Sequence, residues 1–415
     1  MSTPISTPTP LATPTIVPQP AALIIGGTGM MKVTSGETPA VLATAEVFSP
    51  ATGLSVPINP MTTNRSHHSA VVLQNGDVLI VGGVNALFAP LLPGPAVPWI
   101  LPSSDLFNLV TGRFTSGAKM ATPRDSPSAV MLNSGKVLIV GGGANSAELY
   151  DPETGKFSVT GSMSTERYGQ TATVLTNGKV LITGGGAIQA ELYDPDSRKF
   201  TLTGSMQQNR IYHTATLLLD GRVLITGGSP YARSSATDTT ELYDPLSGTF
   251  EQGAKMQESR AGHTATLLTN GQVLIAGGHD DNSAEIYDPV ADQFERTGTM
   301  SASRFGHSAI RWPDGRVFIA GGWSKSYQPL ATTESYDFKT GQFTPGGNMT
   351  EARADHTASL ISVRWPPGWA KASPAGTAVS VPGTPQPPAP LPASTAAPVS
   401  PASPVSQSTP TPRAR

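Results

Sequence analysis

The apolar positions of this chain recur in short consecutive runs and not at helical spacing. A representative block is "HTATLLLDGRVLITGG", residues 213–228, where one apolar run, an Asp-Gly pair, a second apolar run and two glycines follow one another. Runs rich in β-branched residues and leucine favour strands. The Asp-Gly pair predicts a type I′ hairpin turn between them. Because the second run is apolar at consecutive positions, both of its faces should be covered by other elements.

A third and a fourth strand complete each block. The segment "ELYDP", residues 241–245, predicts a strand that its proline ends. The segment around Phe250 predicts the fourth strand. Phenylalanine occupies the equivalent position in other blocks, at Phe157, Phe200, Phe294 and Phe343. The two glycines that end the second strand indicate a close backbone approach or a positive φ. We refer to the four strands of a block as A, B, C and D.

The block occurs seven times. Each copy contains an arginine four residues after a methionine, and these arginines are Arg65, Arg124, Arg167, Arg210, Arg260, Arg304 and Arg353. The double glycines begin at Gly26, Gly82, Gly141, Gly184, Gly227, Gly277 and Gly321. Four short strands at a period of about 50 residues predict an all-β fold, a seven-bladed β-propeller with four-stranded blades.

The two ends of the repeat region are predicted to complete one blade together. Residues 21–27, "AALIIGG", form a strand B with no strand A before it, and residues 356–363, "HTASLISV", form a strand A with no strand B after it. Pairing of these two strands would close the ring and leave no long open edge. We therefore assign residues 21–369 to the propeller. The proline-rich residues 1–20 and 370–415 are expected to be disordered.

The repeat resembles a known family. The double glycine, the Glu-x-Tyr-Asp-Pro segment and the Met-x-x-x-Arg-x-x-His segment are similar to kelch repeats throughout residues 21–369. The resemblance implies the propeller fold but is a poor guide to function, because one fold hosts many activities. The tryptophan usual in strand D of kelch repeats is replaced by phenylalanine, which should still pack.

Most charged residues of the repeat are interpreted as structural. Every arginine is matched by an acidic residue in strand C: Glu46, Asp105, Glu148, Glu191, Glu241, Glu285 and Glu334. Seven copies of one charged pair indicate either a buried ion pair or an arginine that caps backbone carbonyls. Histidine follows three residues after five of the arginines, at His68, His213, His263, His307 and His356. We expect backbone groups to satisfy these histidines.

Tyr212 has no counterpart in the other repeats. The stretch "RIYHT" followed by "DGRV" and two glycines is similar to the segment of galactose oxidase that supplies a tyrosine and a histidine to copper, which implies Tyr212 and His213 as ligands. The chain departs from that family because it has no cysteine to crosslink to a tyrosine and because Tyr168 directly follows Arg167, where the family's ligand is one residue further on. We therefore expect no catalytic residue, no metal and no cofactor. A copper-dependent oxidase is kept as an alternative.

Loops carried by a rigid scaffold are the expected place for binding. In kelch adaptor proteins the ligand face consists of the B-to-C and D-to-A loops. Carried over to this chain, that resemblance implies Arg65, Arg210, Arg260, Arg304, Arg353, His279 and Trp323 as binding residues. Local chemistry adds Tyr168, Tyr212, Tyr231, Asp280 and Asp281. Aromatic rings beside Asp and Arg would also suit a sugar. We predict a non-enzymatic binding module for a protein segment or a glycan, with a structural spacer of a surface protein as a further alternative.

Composition narrows the choice of partners. Charged residues make up 13% of the chain and the formal net charge is -2, which disfavours nucleic acid. No apolar stretch is long enough to span a membrane. The absence of cysteine excludes disulfides and thiolate metal sites. We expect a monomer. The Thr/Pro and Ala/Pro/Ser segments are typical of linkers in surface or secreted proteins and favour an extracellular or cell-surface location, although residues 1–20 lack the features of a signal peptide.

Overall fold

The computed structural model describes residues 18–33, 36–86, 99–231, 235–278 and 282–363. The chain divides into two units, Met1–Ala370 and Lys371–Arg415, and every described residue belongs to the first unit. Most of the predicted disordered segments, residues 1–20 and 370–415, therefore lies outside the described residues, although Gln19 and Pro20 begin the first strand.

The described ranges contain strands and no helix. The strands are, in chain order, β1 (Gln19–Ile25), β2 (Thr28–Val33), β3 (Gly36–Val41), β4 (Ala45–Ser49), β5 (Leu54–Ile58), β6 (Ser69–Val72), β7 (Val78–Val81), β8 (Ser103–Asn108), β9 (Arg113–Lys119), β10 (Ser128–Met131), β11 (Val137–Val140), β12 (Ala144–Asp151), β13 (Lys156–Arg167), β14 (Gln170–Val174), β15 (Val180–Gly184), β16 (Gln189–Asp194), β17 (Lys199–Ser205), β18 (Thr214–Leu217), β19 (Val223–Thr226), β20 (Thr240–Asp244), β21 (Thr249–Gln252), β22 (Thr264–Leu267), β23 (Val273–Ala276), β24 (Ala284–Asp288), β25 (Gln293–Arg296), β26 (Ser308–Arg311), β27 (Val317–Ala320), β28 (Thr333–Asp337), β29 (Gln342–Pro345) and β30 (Thr357–Val363).

These strands form seven four-stranded antiparallel sheets, which confirms the predicted seven-bladed propeller. In the order A to D, blade 1 is β30-β1-β4-β5, blade 2 is β6 to β9, blade 3 is β10 to β13, blade 4 is β14 to β17, blade 5 is β18 to β21, blade 6 is β22 to β25 and blade 7 is β26 to β29. The remaining strands, β2 and β3, form a hairpin in the B-to-C connection of blade 1.

The ring closes as the sequence predicts. Strand β1 pairs with β30 from Gln19 opposite Val363 to Ile25 opposite Thr357, while its other edge pairs with β4. Each strand A contacts the A strands of both neighbouring blades, from β6 around to β30 and back to β6. The A strands therefore surround the axis of the propeller, and the D strands lie at its outside.

The hydrophobic core is divided among the interfaces between blades. One apolar cluster lies between each pair of neighbouring blades; between blades 5 and 6 it includes Leu224, Met256, Ile275 and Tyr287. Strand B is buried at every position in most blades, for example in Val223–Thr226, as its continuous apolar pattern predicts. The phenylalanine of strand D packs against the tyrosine of strand C, as Phe250 does on Tyr243 with ring centroids 4.8 Å apart.

The A-to-B turns differ from the prediction. The carbonyl of Leu218 accepts from Gly221 N–H at 3.1 Å, and Leu218 N–H donates to the carbonyl of Arg222 at 2.8 Å. This is a three-residue loop, a type I turn followed by a bulge at Gly221, where φ is 89°. Asp220 does not take the positive φ that a type I′ turn requires. Its carboxylate accepts from Arg222 N–H at 3.0 Å, which stabilises the observed turn.

Candidate functional site

We call the side of the propeller that carries the B-to-C loops and the D-to-A connections the loop face. The seven arginines lie beneath this face and are buried. Arg260 donates from Nη1 to the carbonyl of Gly277 at 2.8 Å and from Nη2 to Glu285 Oε1 at 2.8 Å. Equivalent ion pairs of 2.7 to 3.2 Å occur in all seven blades. Both structural roles predicted for the arginine, ion pairing and carbonyl capping, are therefore present together.

This burial changes the candidate binding set. The arginines expected to contact a ligand are each 0 or 1% exposed, and they are Arg65, Arg210, Arg260, Arg304 and Arg353. Their guanidinium groups are already committed to a strand C carboxylate and to the carbonyl of the first glycine of the pair. They therefore act as supports beneath the loop face and not as surface contacts.

The backbone of each arginine also joins two blades. The carbonyl of Arg260 accepts from Gly228 N–H of the preceding blade at 2.8 Å. A Cβ atom at Gly227 would overlap this carbonyl oxygen, and Gly227 itself has a φ of 59°. The double glycine is therefore required for the close approach of neighbouring blades.

The repeated histidines are structural, but their partners differ from the prediction. His213 is 5% exposed, and its Nε2 lies 2.9 Å from Thr183 Oγ1 and 3.2 Å from Thr171 Oγ1. His68, His263 and His307 likewise use Nε2 toward threonine hydroxyls of the preceding blade, where we expected backbone partners. Burial, and then the nearby Arg210, lowers the pKa of His213 to about 3, so this imidazole is neutral at ordinary pH.

The residue two positions after each arginine lies at the axis on the loop face. We call these seven residues the axial ring: His67, Ser126, Gly169, Tyr212, Gly262, Gly306 and Asp355. All seven have a φ between 50° and 66°. Their backbones form a chain of hydrogen bonds around the axis, for example from Gly306 N–H to the carbonyl of Gly262 at 2.9 Å and from Asp355 N–H to the carbonyl of Gly306 at 2.9 Å.

Four members of the axial ring carry side chains in a conformation that favours glycine. The φ values are 55° at His67, 54° at Ser126, 54° at Tyr212 and 50° at Asp355. A non-glycine residue in this region costs on the order of 1 kcal/mol, and such residues concentrate at functional sites. Since Gly169, Gly262 and Gly306 occupy the same position at no such cost, the four side chains mark the axis as the candidate site.

A cavity of about 300 Å³ opens beside the axial ring. We call it the axial pocket, and it is lined by His67, Tyr212, Ala261, Gly262, Phe305, Gly306, Trp323, Tyr327 and Asp355. Trp323 follows the double glycine of blade 7. Its backbone N–H donates to the carbonyl of Phe305 at 2.8 Å, which places the two aromatic residues side by side. Tyr327 meets Phe305 edge to face with ring centroids 5.5 Å apart.

Three charged side chains meet at the rim of the axial pocket. His67 lies between two carboxylates, with Nδ1 3.4 Å from Asp125 Oδ1 and Nε2 3.4 Å from Asp355 Oδ2. Burial alone would lower the pKa of His67, but the two aspartates outweigh it and raise the pKa to about 11. His67 is therefore an imidazolium at neutral pH. Trp323 Nε1 donates to the same Asp355 Oδ2 at 2.7 Å.

The predicted tyrosines and loop residues are only partly brought together. Tyr212 lines the pocket and is 41% exposed, and Tyr168 contacts it edge to face with ring centroids 6.0 Å apart. Burial, and then contact with Tyr168, raises the pKa of the Tyr212 phenol, which keeps it neutral. Tyr231 is 70% exposed and is not among the lining residues. The candidates His279, Asp280 and Asp281 lie outside the described residues.

Several pocket residues were not predicted from the sequence. His67, Asp125, Phe305, Tyr327 and Asp355 all contribute, and none was a candidate. A signal for two of them was present in the repeat itself. At the position where three blades have glycine, His67 and Asp355 interrupt the pattern in the same way as Tyr212 does.

The residues implied for copper do not fit a common metal site. Tyr212 lines the axial pocket, whereas the buried His213 is not among the lining residues and directs Nε2 to two threonine hydroxyls. In the described ranges, no group of three or more histidine, aspartate or glutamate side chains has an arrangement that could hold a metal ion.

These same ranges contain no helix long and apolar enough to cross a membrane.

Comparisons with known proteins agree on the architecture. The kelch motif matches residues 313–350. No curated protein matches the sequence. Among solved structures, the chain is similar to a fungal alcohol oxidase of the AA5 family in complex with copper, with a TM-score of 0.60 and 19% identity, covering 72% of this chain and 68% of the oxidase. It is also similar to YjhT, with a TM-score of 0.53 and 13% identity, covering 70% of this chain and 99% of YjhT. At these identities the likeness concerns the fold alone.

Proposed function

We propose that this seven-bladed β-propeller, in which residues 313–350 match the kelch motif, is a non-enzymatic binding module whose axial pocket receives a projecting group of a protein segment or a glycan. The observation that carries this proposal is the axial pocket itself, with its aromatic lining and its carboxylate. Three of its lining residues, His67, Tyr212 and Asp355, hold side chains at positive φ in a ring that accepts glycine elsewhere. A purely structural spacer offers no reason for that conformational cost.

The dimensions of the pocket support a small inserted group. A volume of about 300 Å³ is at the lower end of the usual range for ligand sites. It suits one amino-acid side chain or one sugar ring, while the rest of the ligand would lie across the loop face. The exposed Tyr327, at 66%, extends the aromatic surface from the pocket toward that face.

The proposal is tested by probing the full chain on peptide and glycan arrays and repeating the assay with Tyr212→Gly. Glycine removes the ring and suits the φ of 54°, so the variant should fold while losing at least about tenfold in affinity, the usual effect of removing a buried aromatic anchor. Tyr231→Ala is the matched control, because it removes an exposed tyrosine outside the pocket. If both variants bound every ligand as the parent does, the pocket would not be the binding site.

The copper-dependent oxidase is tested separately. We expect the protein to take up no stoichiometric copper, because His213 is buried outside the lining of the axial pocket that Tyr212 faces and holds Nε2 at Thr171 and Thr183. Copper titration followed by elemental analysis measures this directly. Stoichiometric copper in the parent, with peroxide released from sugars or aldehydes, and the loss of both in Tyr212→Phe and His213→Gln would establish the alternative.

A further inference from the structure

The axial pocket carries an excess of negative charge. His67 is the one cationic lining residue among those described, and it is shared between Asp125 and Asp355. Asp125 is not a lining residue, but it contacts His67, so the cluster of His67, Asp125 and Asp355 at the rim has two carboxylates, one imidazolium and a net charge of about -1. Asp355 Oδ2 is occupied by Trp323, whereas Oδ1 lies over Gly306, where any Cβ atom would collide with it. Glycine at this position leaves room for the carboxylate of Asp355, whose side chain lines the pocket and is 22% exposed.

An anionic ligand finds no suitable donor here. The arginines nearest to the axis are buried and are bound to backbone carbonyls and to the carboxylates of strand C. The imidazolium of His67 already lies between two carboxylates, each 3.4 Å from one of its ring nitrogens. A carboxylate or phosphate would therefore meet the charge of Asp355 with no unpaired cationic side chain among the described lining residues, whereas a cation would neutralise the excess charge.

The aromatic walls favour a cation with an apolar stem. Tyr212, Phe305, Trp323 and Tyr327 line the pocket, and the faces of aromatic rings attract ammonium groups. An amino sugar would bring several hydroxyl groups that need partners, and the lining supplies few polar side chains. A lysine side chain instead carries one charged head on four methylene groups, which match the apolar walls.

We propose that the axial pocket binds the side chain of a lysine in a partner protein segment, with its ammonium group at Asp355 Oδ1 and its methylene stem against Tyr212, Phe305 and Trp323. This inference rests on the proposed function, because it names the group that enters the same pocket. It also makes Asp355 the specificity-determining residue of the site.

The test compares two nearly isosteric probes by NMR titration of the full chain: Nα-acetyl-lysine amide and Nα-acetyl-norleucine amide. We expect the lysine probe to bind about tenfold more tightly or better, with an advantage that falls as salt is added. Asp355→Asn should remove this advantage. Asparagine retains an acceptor for Trp323 and tolerates the φ of 50°, so the variant should keep the local structure. Asp314→Asn is the control, since it makes the same charge change in an exposed A-to-B turn on the opposite face.

The outcomes separate this inference from the function on which it rests. Equal binding of both probes, with no effect of Asp355→Asn but loss of both in Tyr212→Gly, would overturn the lysine proposal and leave the binding pocket in place. Binding of glucosamine without binding of the lysine probe would overturn it in favour of an amino sugar. If no probe and no array ligand responded to Tyr212→Gly, the proposed function and the inference would fail together.

Discussion

Arg260 and Glu285 show how single residues of the repeat support the blades. Both side chains are fully buried, and each satisfies the charge of the other while the arginine also caps the carbonyls of Gly277 and Ser283. Removing one partner of a buried pair leaves the other charge uncompensated, which is far more costly than losing an exposed pair. The value of the pair therefore depends on its being complete.

We predict that Arg260→Met lowers the free energy of unfolding by about 3 to 5 kcal/mol. The measurement is urea denaturation followed by circular dichroism. The double variant Arg260→Met with Glu285→Gln should recover part of the loss, because it removes the unpaired carboxylate. Lys255→Met, which breaks the exposed pair with Asp238, should change the value by less than about 1 kcal/mol. An equally small effect of Arg260→Met would contradict the structural role.

The neighbouring His67 and His68 should titrate in opposite directions. Contact with two aspartates outweighs burial and raises the pKa of His67 to about 11, whereas burial and then Arg65 lower the pKa of His68 to about 3. We predict that NMR finds His67 protonated from pH 6 to pH 9 and His68 neutral over the same range. Titration of His67 near pH 6.5 would show that its contacts with Asp125 and Asp355 do not form in solution.

These two shifts affect stability in different pH windows. For His68 the unfolded chain binds more protons between about pH 3 and 6.5, so its contribution is present above that window and is lost as the pH falls through it. For His67 the folded state holds the proton more tightly, so its contribution is complete below about pH 6.5 and is lost as the pH rises toward 11. Replacing His68 by glutamine should therefore reduce the slope on the acid side of the stability profile by the share of one histidine, since four other buried histidines remain, and leave the alkaline side unchanged.

The sequence allowed some of these residues to be interpreted correctly. A charged pair repeated seven times could be recognised as structural because the repeat number itself argues against seven sites. The role of His67 and Asp355 could not be predicted in the same way, because their significance depends on Asp125 and Trp323 reaching them from other blades. Residues of different blades meet at the axis only because the ring is closed. The spacing of residues within one repeat therefore does not indicate these contacts.

At the scale of strands and turns, glycines differ in whether a side chain would fit in their place. Gly227 ends strand β19 against the carbonyl of Arg260, whereas the third glycine of blade 4, Gly186, has a φ of 102° and no atom within 4 Å of a Cβ placed there. Both have positive φ, but only Gly227 is also enclosed by backbone.

We predict that Gly227→Ala destabilises the protein by about 3 kcal/mol or more, because the backbone of the next blade must move. Gly186→Ala should cost only about 1 kcal/mol, the conformational strain alone. Thermal unfolding of the two variants beside the parent checks this difference. Equal losses would show that the positive φ, and not the contact between blades, dominates at both positions.

The elements themselves were largely predictable, whereas the turns were not. Apolar runs, Asp-Pro stops and phenylalanines were sufficient to place strands A to D. The predicted type of the A-to-B turns was wrong. An Asp-Gly or Asn-Gly pair suits both a type I′ turn and a type I turn with a glycine bulge, and the pair alone does not determine the loop length. In blade 5 the contact between Asp220 and Arg222 accompanies the longer form.

For the whole molecule, the decisive element is the pairing of β1 with β30. Seven residues pair across this seam, against four between strands A and B in most other blades. The repeat count and the two unmatched strands predicted it from the sequence. The axial pocket was not predictable at this scale, because its walls come from five D-to-A connections and from the B-to-C loop of blade 7.

We predict that removal of residues 356–415 abolishes cooperative folding, because blade 1 would lose strand A and the apolar clusters on both sides of it would open to solvent. Removal of residues 371–415 alone is the control and should leave the melting temperature unchanged, since these residues form a separate unit. The two variants are compared by calorimetry. A parental melting temperature for the shorter chain would contradict a ring that depends on its seam.

In the axial ring, the backbone contributes to the stability of the propeller, whereas the side chains are the groups that would contact a partner. Its backbone bonds form at positions that carry glycine, serine, histidine, tyrosine and aspartate alike, so the frame accommodates different side chains there. The seven positions of the axial ring lie close together, so a few substitutions there could change the charge and shape of the entrance to the axial pocket completely. Proteins with this same frame are therefore expected to diverge first at these seven positions, and redesign of specificity should begin there.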